Sequence, residues 1–285
     1  MLTNFQLRWG VEQWVAFLKD KEIPVLPTTQ AAMRAFAETA DERIAPRAMA
    51  DFVLKDPYLA LKLLRRVEGK RTHTLGRDTT TALAAVLQAG ADELAKTALS
   101  SSVTDFSSAG LQRCQHRAVI ASCIARDWAL ARADAAADEI ALAALLSESG
   151  ELLLWHFAPE LAQKALDELQ SGRAMRTLQA QMQAVGFSFK QLTISLVQAW
   201  DLPSLITLLI RGSDNLRANI ARLAVDTARH IVTHPENPAI PADIINIKTL
   251  LRTPDTRILL AALPIPDTYR ASVLAAVEGA SHETS

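Results

Sequence analysis

Ala141–Trp155 reads ALAALLSESGELLLW: two apolar halves separated by the polar run Ser147-Glu148-Ser149-Gly150-Glu151. Neither half alternates with the period-two pattern of a half-buried strand, so the stretch is predicted to be an interrupted apolar helix. Polar groups taken into a core cost free energy unless they are partnered. The insert therefore either reaches an internal cavity or marks a helix end. Gly150 fits an end, because glycine readily takes the left-handed conformation that closes a helix.

The same helical spacing extends outward in both directions, and no segment alternates convincingly as a strand does. Upstream, Leu111, Cys114, Ala118, Ala121, Ala125 and Trp128 form one buried face of a helix predicted from Leu111 to about Ala131. Val119, Ile120, Cys123 and Ile124 make its other faces apolar too, which places it inside a lobe. Asp138 is positioned to cap the helix that follows. Downstream, Pro159 opens a helix, and Met175, Leu178, Met182 and Val185 define the stripe of the next, closed by Gly186. Ser188 and Gln191 have capping-box spacing for a helix through Leu192, Leu196 and Trp200 that must stop at Pro203. Leu216, Ile220, Leu223, Thr227 and Ile231 form another buried face, and apolar segments around Ile244–Leu251 and Tyr269–Val277 follow.

Toward the N-terminus, a helix near Val11–Leu18 carries Trp14, Phe17 and Leu18 to a core, and the prolines of Ile23–Pro27 force an extended connection. Helices through Met33 and Phe36, and from Pro46 through Met49, Phe52 and Val53, come next. Asp56-Pro57 is a helix start: the Asp accepts from free cap amides and the Pro stands where no donor is needed. Tyr58, Leu61, Leu64 and Val67 continue that helix, and the charged run Glu68–His73 is expected to be an exposed loop. A helix over Thr79–Leu87 closes at Gly90, with Asp92 placed to cap its successor. Ser-rich Ser100–Gly110 is the expected hinge between an N-terminal lobe, residues 1–105, and a second lobe, residues 106–285.

Composition narrows the partners. The 285 residues are 49% hydrophobic with 10 glycines, which suits a packed helical core and not a disordered chain. Thirty Lys and Arg against 31 Asp and Glu give a net charge of -1, so no global basic field draws nucleic acid or an anionic membrane. Cys114 and Cys123, nine positions apart, match neither a zinc knuckle nor a redox pair. The opening MLTNFQLRW lacks the build of a signal peptide, and no uninterrupted apolar stretch reads as a membrane span, so a cytoplasmic location is expected.

LLSESGELLL resembles LLHDIGKLLL, the signature of the HD superfamily of metal phosphohydrolases and of its HDOD relatives. The order of neighbouring elements is similar as well. The HDOD family's extended LPxLP element, DPxLxxxLL helix and Ala-rich helix ending at Gly have counterparts in Pro24–Pro27, Asp56–Leu64 and Leu83–Gly90. Trp200-Asp201-Leu202-Pro203 resembles the family's W-x-L-P turn. The chain departs from the pattern after the DP helix, where Glu68, Gly69 and Lys70 replace an Asn-Ser-Ala-like turn.

HD phosphohydrolases gather an imidazole, an adjacent His-Asp pair and a later Asp on divalent ions, which lower the pKa of bound water. Carried over residue by residue, the first His falls on His116 and the later Asp on Asp226. The His-Asp pair falls on Ser147 and Glu148, the His of a G-x-x-H element on Phe189, and a His-His element on Gly212 and Ser213. A hydroxyl, a phenyl ring and a glycine are poor or useless donors, so two or three ligands survive where a stable site takes about four. The resemblance thus implies a vestigial site: no catalytic residue, no metal and no cofactor.

Plainer roles stand beside each pick. His116 suits a satisfied core histidine beside Val119 and Cys123, and Asp226 an ion pair with Arg222 or Arg229. Glu148 and Glu151 suit solvated helix ends, and His230 and His234 surface positions near a helix C-terminus. Lys70, Arg71 and Arg77 read as a solvated basic loop. If the helices keep the family's places, His116 is expected to share an enclosed space with Ser147, Glu148 and Asp226 and to be the charge partner of a carboxylate.

The expectation is an all-α, two-lobed bundle with a degenerate HD-like core in the second lobe. The function implied by the resemblance is non-catalytic bacterial signal transduction through protein–protein interaction, with a protein partner and neither nucleic acid nor membrane. Two alternatives stay open: a sensor holding a nucleotide or cyclic dinucleotide in the vestigial pocket, and a residual metal-dependent phosphohydrolase.

Overall fold

The computed structural model describes residues 2–38, 45–70, 78–253 and 255–283. All regular elements among them are helical, as expected. After a 3-10 turn at Gln6–Arg8 come α1 (Val11–Leu18), α2 (Pro27–Glu38), α3 (Pro46–Val53), α4 (Pro57–Gly69), α5 (Ala82–Ala89) and α6 (Ala91–Leu99). Then follow α7 (Ala109–Leu130), α8 (Ala137–Leu146), α9 (Ser149–Phe157), α10 (Pro159–Gln170), α11 (Thr177–Val185) and α12 (Phe189–Ala199). The chain closes with α13 (Ser204–Arg211), α14 (Leu216–Thr233), α15 (Ile240–Leu251), α16 (Thr256–Ala261) and α17 (Asp267–Glu283).

The helices form two compact units, but not those divided at 105/106. The first combines Met1–Gln115 with Leu146–Thr207, and the second combines His116–Leu145 with Leu208–Ser285. The expected hinge therefore lies inside the first unit. Val25 N donates to Ser102 O (2.9 Å) and Thr104 N to Val25 O (3.1 Å), making a single parallel bridge between Val25 and Val103. Lys62 Nζ reaches Ile23 O at 3.0 Å and also bonds Ser101 Oγ, pinning the same two segments. Serines mimic a linker in composition, yet their hydroxyls and backbone pair readily with nearby groups.

In the first unit, Asp56 starts two helices at once. Its Oδ1 caps α4 by accepting from Tyr58 N (2.9 Å) and Leu59 N (3.1 Å). Its Oδ2 accepts from Leu26 N (2.9 Å) and Thr29 Oγ1 (2.6 Å) at the head of α2. Burial pushes the Asp56 pKa above the usual carboxylate value, against the opposing pull of these four bonds. Glu68 corrects the exposed-loop expectation: it is buried in the last turn of α4, and its Oε1 accepts from Thr79 N at 3.1 Å. Arg71, Thr72, His73 and Arg77 lie outside the described residues. Gly90, at φ 82°, closes α5 and itself begins α6, so Asp92 sits in the first turn and is not the cap.

The second unit packs a core of its own. Ile124 and Trp128 of α7, Ile140 of α8 and Ile220, Ala224 and Ile231 of α14 meet Ile244 and Ile247 of α15, Leu259 of α16 and Val277 of α17. The indole of Trp128, which needs a partner when buried, donates to Leu259 O at 3.0 Å. Asp138 stands in the first turn of α8 and pairs with Arg126 at 3.0 Å. One apolar stretch, residues 137–157, is long and apolar enough to cross a membrane after all. However, 78% of its most apolar window is buried in the protein, as in a core helix.

Candidate functional site

The polar run at 147–151 is where α8 and α9 separate, in the first unit. Ser147 and Glu148 form the break, and α9 restarts at Ser149. Gly150 is consequently inside a helix and does not close one. Its role is a close approach to α12: a Cβ here would stand 2.6 Å from Phe189 O and 2.9 Å from Thr193 N. Thr193, fully buried, fills the break. Its Oγ1 accepts from Gly150 N at 2.9 Å, and its hydroxyl hydrogen is within reach of Phe189 O (3.1 Å) and Ser147 O (3.3 Å). Thr193 thus satisfies the backbone polar groups that a broken helix exposes.

Other elements of the first unit hold α9 in place. Tyr58 Oη donates to Leu152 O at 2.6 Å, and burial raises the Tyr58 pKa well above its usual value, keeping it a donor. The Trp155 ring lies so close to α7 that a Cβ on Gly110 would come within 2.1 Å of it. Trp155 Nε1 donates to Glu151 Oε1 at 3.3 Å. His156 Nδ1 is 2.9 Å from Thr104 Oγ1, and burial lowers the pKa of its ring.

Glu148 is only 5% exposed, which corrects its reading as a solvated helix end. It belongs to a group that the sequence analysis missed: donor atoms of Cys114, Glu148 and Glu151 all lie within 4.8 Å of one another. Glu148 and Glu151 are three apart, at the N-cap and in the first turn of α9, a visible signal, but nothing in the sequence tied Cys114 to them. A thiol and two carboxylates are chemically able to hold a borderline cation such as zinc, one ligand short of a closed site.

The positions carried over from the family pattern are distributed between the units: Ser147, Glu148 and Phe189 in the first, His116, Gly212, Ser213 and Asp226 in the second. Within the first, Thr193 links Ser147 to Phe189. Phe189 opens α12 with its ring beside Phe187, 6.4 Å between centroids, and only 5% of the residue is exposed. In the second, the His116 side chain is exposed, which corrects both its core reading and its expected enclosed charge pairing. Asp226 pairs with Arg229 (3.2 Å) and Arg222 (3.5 Å), the arginines expected. Gly212, at φ 87°, follows the end of α13, and Ser213 Oγ accepts from Asn215 Nδ2, while Asn215 Oδ1 caps α14 through Ala218 N.

His230 also departs from its surface reading. It is half-buried, and its Nδ1 lies 2.7 Å from Asp243 Oδ2, tying α14 to α15. Burial raises the Asp243 pKa, with the His230 bond acting against it. His234 stays exposed and accepts from Glu236 N at 3.2 Å.

The family's metal does not fit this donor set. A buried phenyl ring and a helix-capping turn occupy positions that need imidazoles, and Ser147 offers a hydroxyl at the edge of a threonine-filled break. No step of metal chemistry follows from these residues.

Comparison with known proteins agrees with the geometry. The HDOD domain profile matches residues 23–216, from the extended element through the first residue of α14. No curated protein matches the chain. Among solved structures, the chain is similar to a virulence factor of Campylobacter jejuni: 16% identity, TM-score 0.71, covering 92% of this chain and 98% of that one. It is similar also to the MmoQ response regulator of Methylococcus capsulatus: 18% identity, TM-score 0.61, covering 90% of this chain and 99% of that one. Likeness at such identity is a likeness of fold. The profile match covers well over half of the chain, and the chain belongs to the HDOD domain family.

Proposed function

We propose that this protein is a non-catalytic signalling module of the bacterial cytoplasm that acts by binding a protein partner. The observation that carries this reading is the filled break in the first unit. Where a phosphohydrolase keeps the His-Asp pair and a further His, this chain has Ser147, Glu148 and Phe189, and Thr193 packs the space between helices. A site occupied by packing and internal hydrogen bonds is built for stability and leaves recognition to the surface. The chain's near-neutral charge supports a protein partner over nucleic acid or an anionic membrane.

Chelation tests it. Incubation with EDTA should leave the Tm unchanged, and purified protein supplied with Mn2+ should not turn over nucleotide phosphates. A drop of several degrees restored by a divalent ion would end the reading.

The Cys114, Glu148 and Glu151 group supports a second reading, a metal-dependent activity with ligands of its own. Stoichiometric manganese, iron or zinc in protein purified without chelator would favour it. Thermal shifts with cyclic dinucleotides or guanosine phosphates would instead favour a small-ligand sensor.

A further inference from the structure

Gly110 on α7 and Trp155 on α9 mark a close crossing of two helices in the first unit, because the Trp155 ring takes the space that a Cβ on Gly110 would need. One turn along α7 from Gly110 stands Cys114, and one turn back along α9 from Trp155 stands Glu151. Glu148 is the N-cap residue about one turn earlier. The crossing thus sets the register that gathers a thiol and two carboxylates, with donor atoms all within 4.8 Å of one another. Cys114 is fully buried and Glu148 nearly so, while the half-buried Glu151 reaches solvent.

Three groups that can each carry negative charge are costly to gather in a protein interior unless protons or a cation compensate them. The donor set itself selects among cations. A thiolate is a poor ligand for Mg2+ or Ca2+, and carboxylates are poor ligands for Cu+, whereas Zn2+ accepts both. Around a tetrahedral Zn2+ such donors stand about 3.5 Å apart, so closing the group takes side-chain shifts of about an ångström. The Trp155 indole donates to Glu151 Oε1 at 3.3 Å, orienting that carboxylate as an outer partner orients a metal ligand. Ser149, between the two glutamates in the chain, is 1% exposed, and its Oγ has no hydrogen-bond partner among the described residues. An orphaned buried hydroxyl in the same turn calls for a partner from outside the chain, which a hydrated cation supplies.

We propose that Cys114, Glu148 and Glu151 form a Zn2+ site that clamps α7 to α9 without catalysing a reaction, with water as the fourth ligand. The site goes beyond partner binding and does not rest on it. Binding exchanges a proton for the metal: the Cys114 S–H bond breaks, its electron pair goes to the S–Zn bond, and the proton leaves to solvent. Three protein ligands hold the ion reversibly, so the chain folds without it and takes it up when it is offered.

The test titrates the full chain, stripped with EDTA and dialysed, with Zn2+ and in parallel with Co2+. Zinc should raise the Tm by several degrees, saturate at one ion per chain and bind more tightly as pH rises, whereas Mg2+ should do none of these. Cobalt should give the near-ultraviolet charge-transfer band of a Co2+–thiolate bond. Cys114→Ser should abolish that band, and Glu151→Gln should weaken zinc binding by at least about tenfold. Cys123→Ser, which removes the exposed thiol, should leave both signals intact. The wild-type circular dichroism spectrum controls for folding, and if Cys114→Ser disturbs it, the half-exposed Glu151→Gln carries the test alone. No zinc shift, a shift untouched by Glu151→Gln, or a band that follows Cys123 overturns the proposal; the three groups then share protons and take no metal. Such a failure leaves partner binding standing, whereas turnover of nucleotide phosphates by the zinc-loaded chain ends the non-catalytic reading and overturns the purely clamping role proposed for the ion.

Discussion

Two regions of the first unit invert the usual distribution of polar and apolar groups, in opposite senses. Around α4 and α9, polar groups go inside: Asp56, Glu148, Ser149 and Thr193 are buried. At α11, apolar groups go outside. The inward polar groups at Asp56 and Thr193 are matched by hydrogen bonds that hold helix ends together, so burying them serves the fold. The outward apolar groups Leu178 and Met182 are 59% and 48% exposed. A polar residue under packing and an apolar residue in water are each costly alone; at α4 and α9 hydrogen bonds within the chain offset that cost, whereas the side chains of Leu178 and Met182 at α11 stay about half in water.

That contrast breaks most easily at Asp56. Asp56→Ala removes the cap of α4 and strands four donors, two of which, Leu26 N and the Thr29 hydroxyl, belong to another helix start. It should cost about 3 kcal/mol or more, read from the urea midpoint. If it proves nearly neutral, the inward polar groups are not structural.

Gly150→Ala comes next. Its methyl group would stand 2.6 Å from Phe189 O, a backbone atom that cannot swing away, so α9 and α12 must part. The expected loss is about 1–3 kcal/mol with the helical spectrum retained. A wild-type Tm would show that the break between α8 and α9 is looser than its hydrogen bonds imply.

A smaller effect is expected from His156. Burial lowers its pKa from the ordinary 6.5, so the folded protein favours the neutral ring while the unfolded chain takes up a proton first. Its contribution is therefore complete above 6.5 and is lost as pH falls below that value through the lower folded pKa. Urea midpoints should decline over that window, and His156→Gln should flatten the decline. A slope unchanged in the variant would assign it to other groups.

Leu178→Asp should have the smallest effect on stability, within about 0.5 kcal/mol, because the side chain is already in water. A larger loss would place α11 with the packed region and erase the contrast.

Much of the fold was legible. Pro46, Asp56-Pro57, Gly90, Pro159 and Ser188 mark helix ends because caps and prolines act within a few residues of chain. The stripe from Leu111 to Trp128 is buried as its spacing implied. The candidate site was legible in part. Ser147, Phe189, Gly212 and Ser213 lack the imidazole and carboxylate donors of a His-Asp metal set, a property of the side chains that is read from the sequence alone. The exposure of His116, the bond between His230 and Asp243 and the approach of Cys114 to Glu148 and Glu151 were not readable, since each joins segments distant in the chain or depends on a neighbour's presence.

The sequence by itself determined that this chain is helical, roughly where its helices start and stop, and that it carries the broken frame of an HD-type signature. Those properties follow from backbone sterics, capping and periodicity, which operate over one or two turns. Only the tertiary structure decided what each face meets. It set Gly150 against the backbone of α12, pinned a serine-rich segment to an extended one, and put the stripe of Met175, Leu178 and Met182 outside. Three–four spacing specifies that a helix has an apolar side; which element covers that side, or whether any does, is a property of the packed chain.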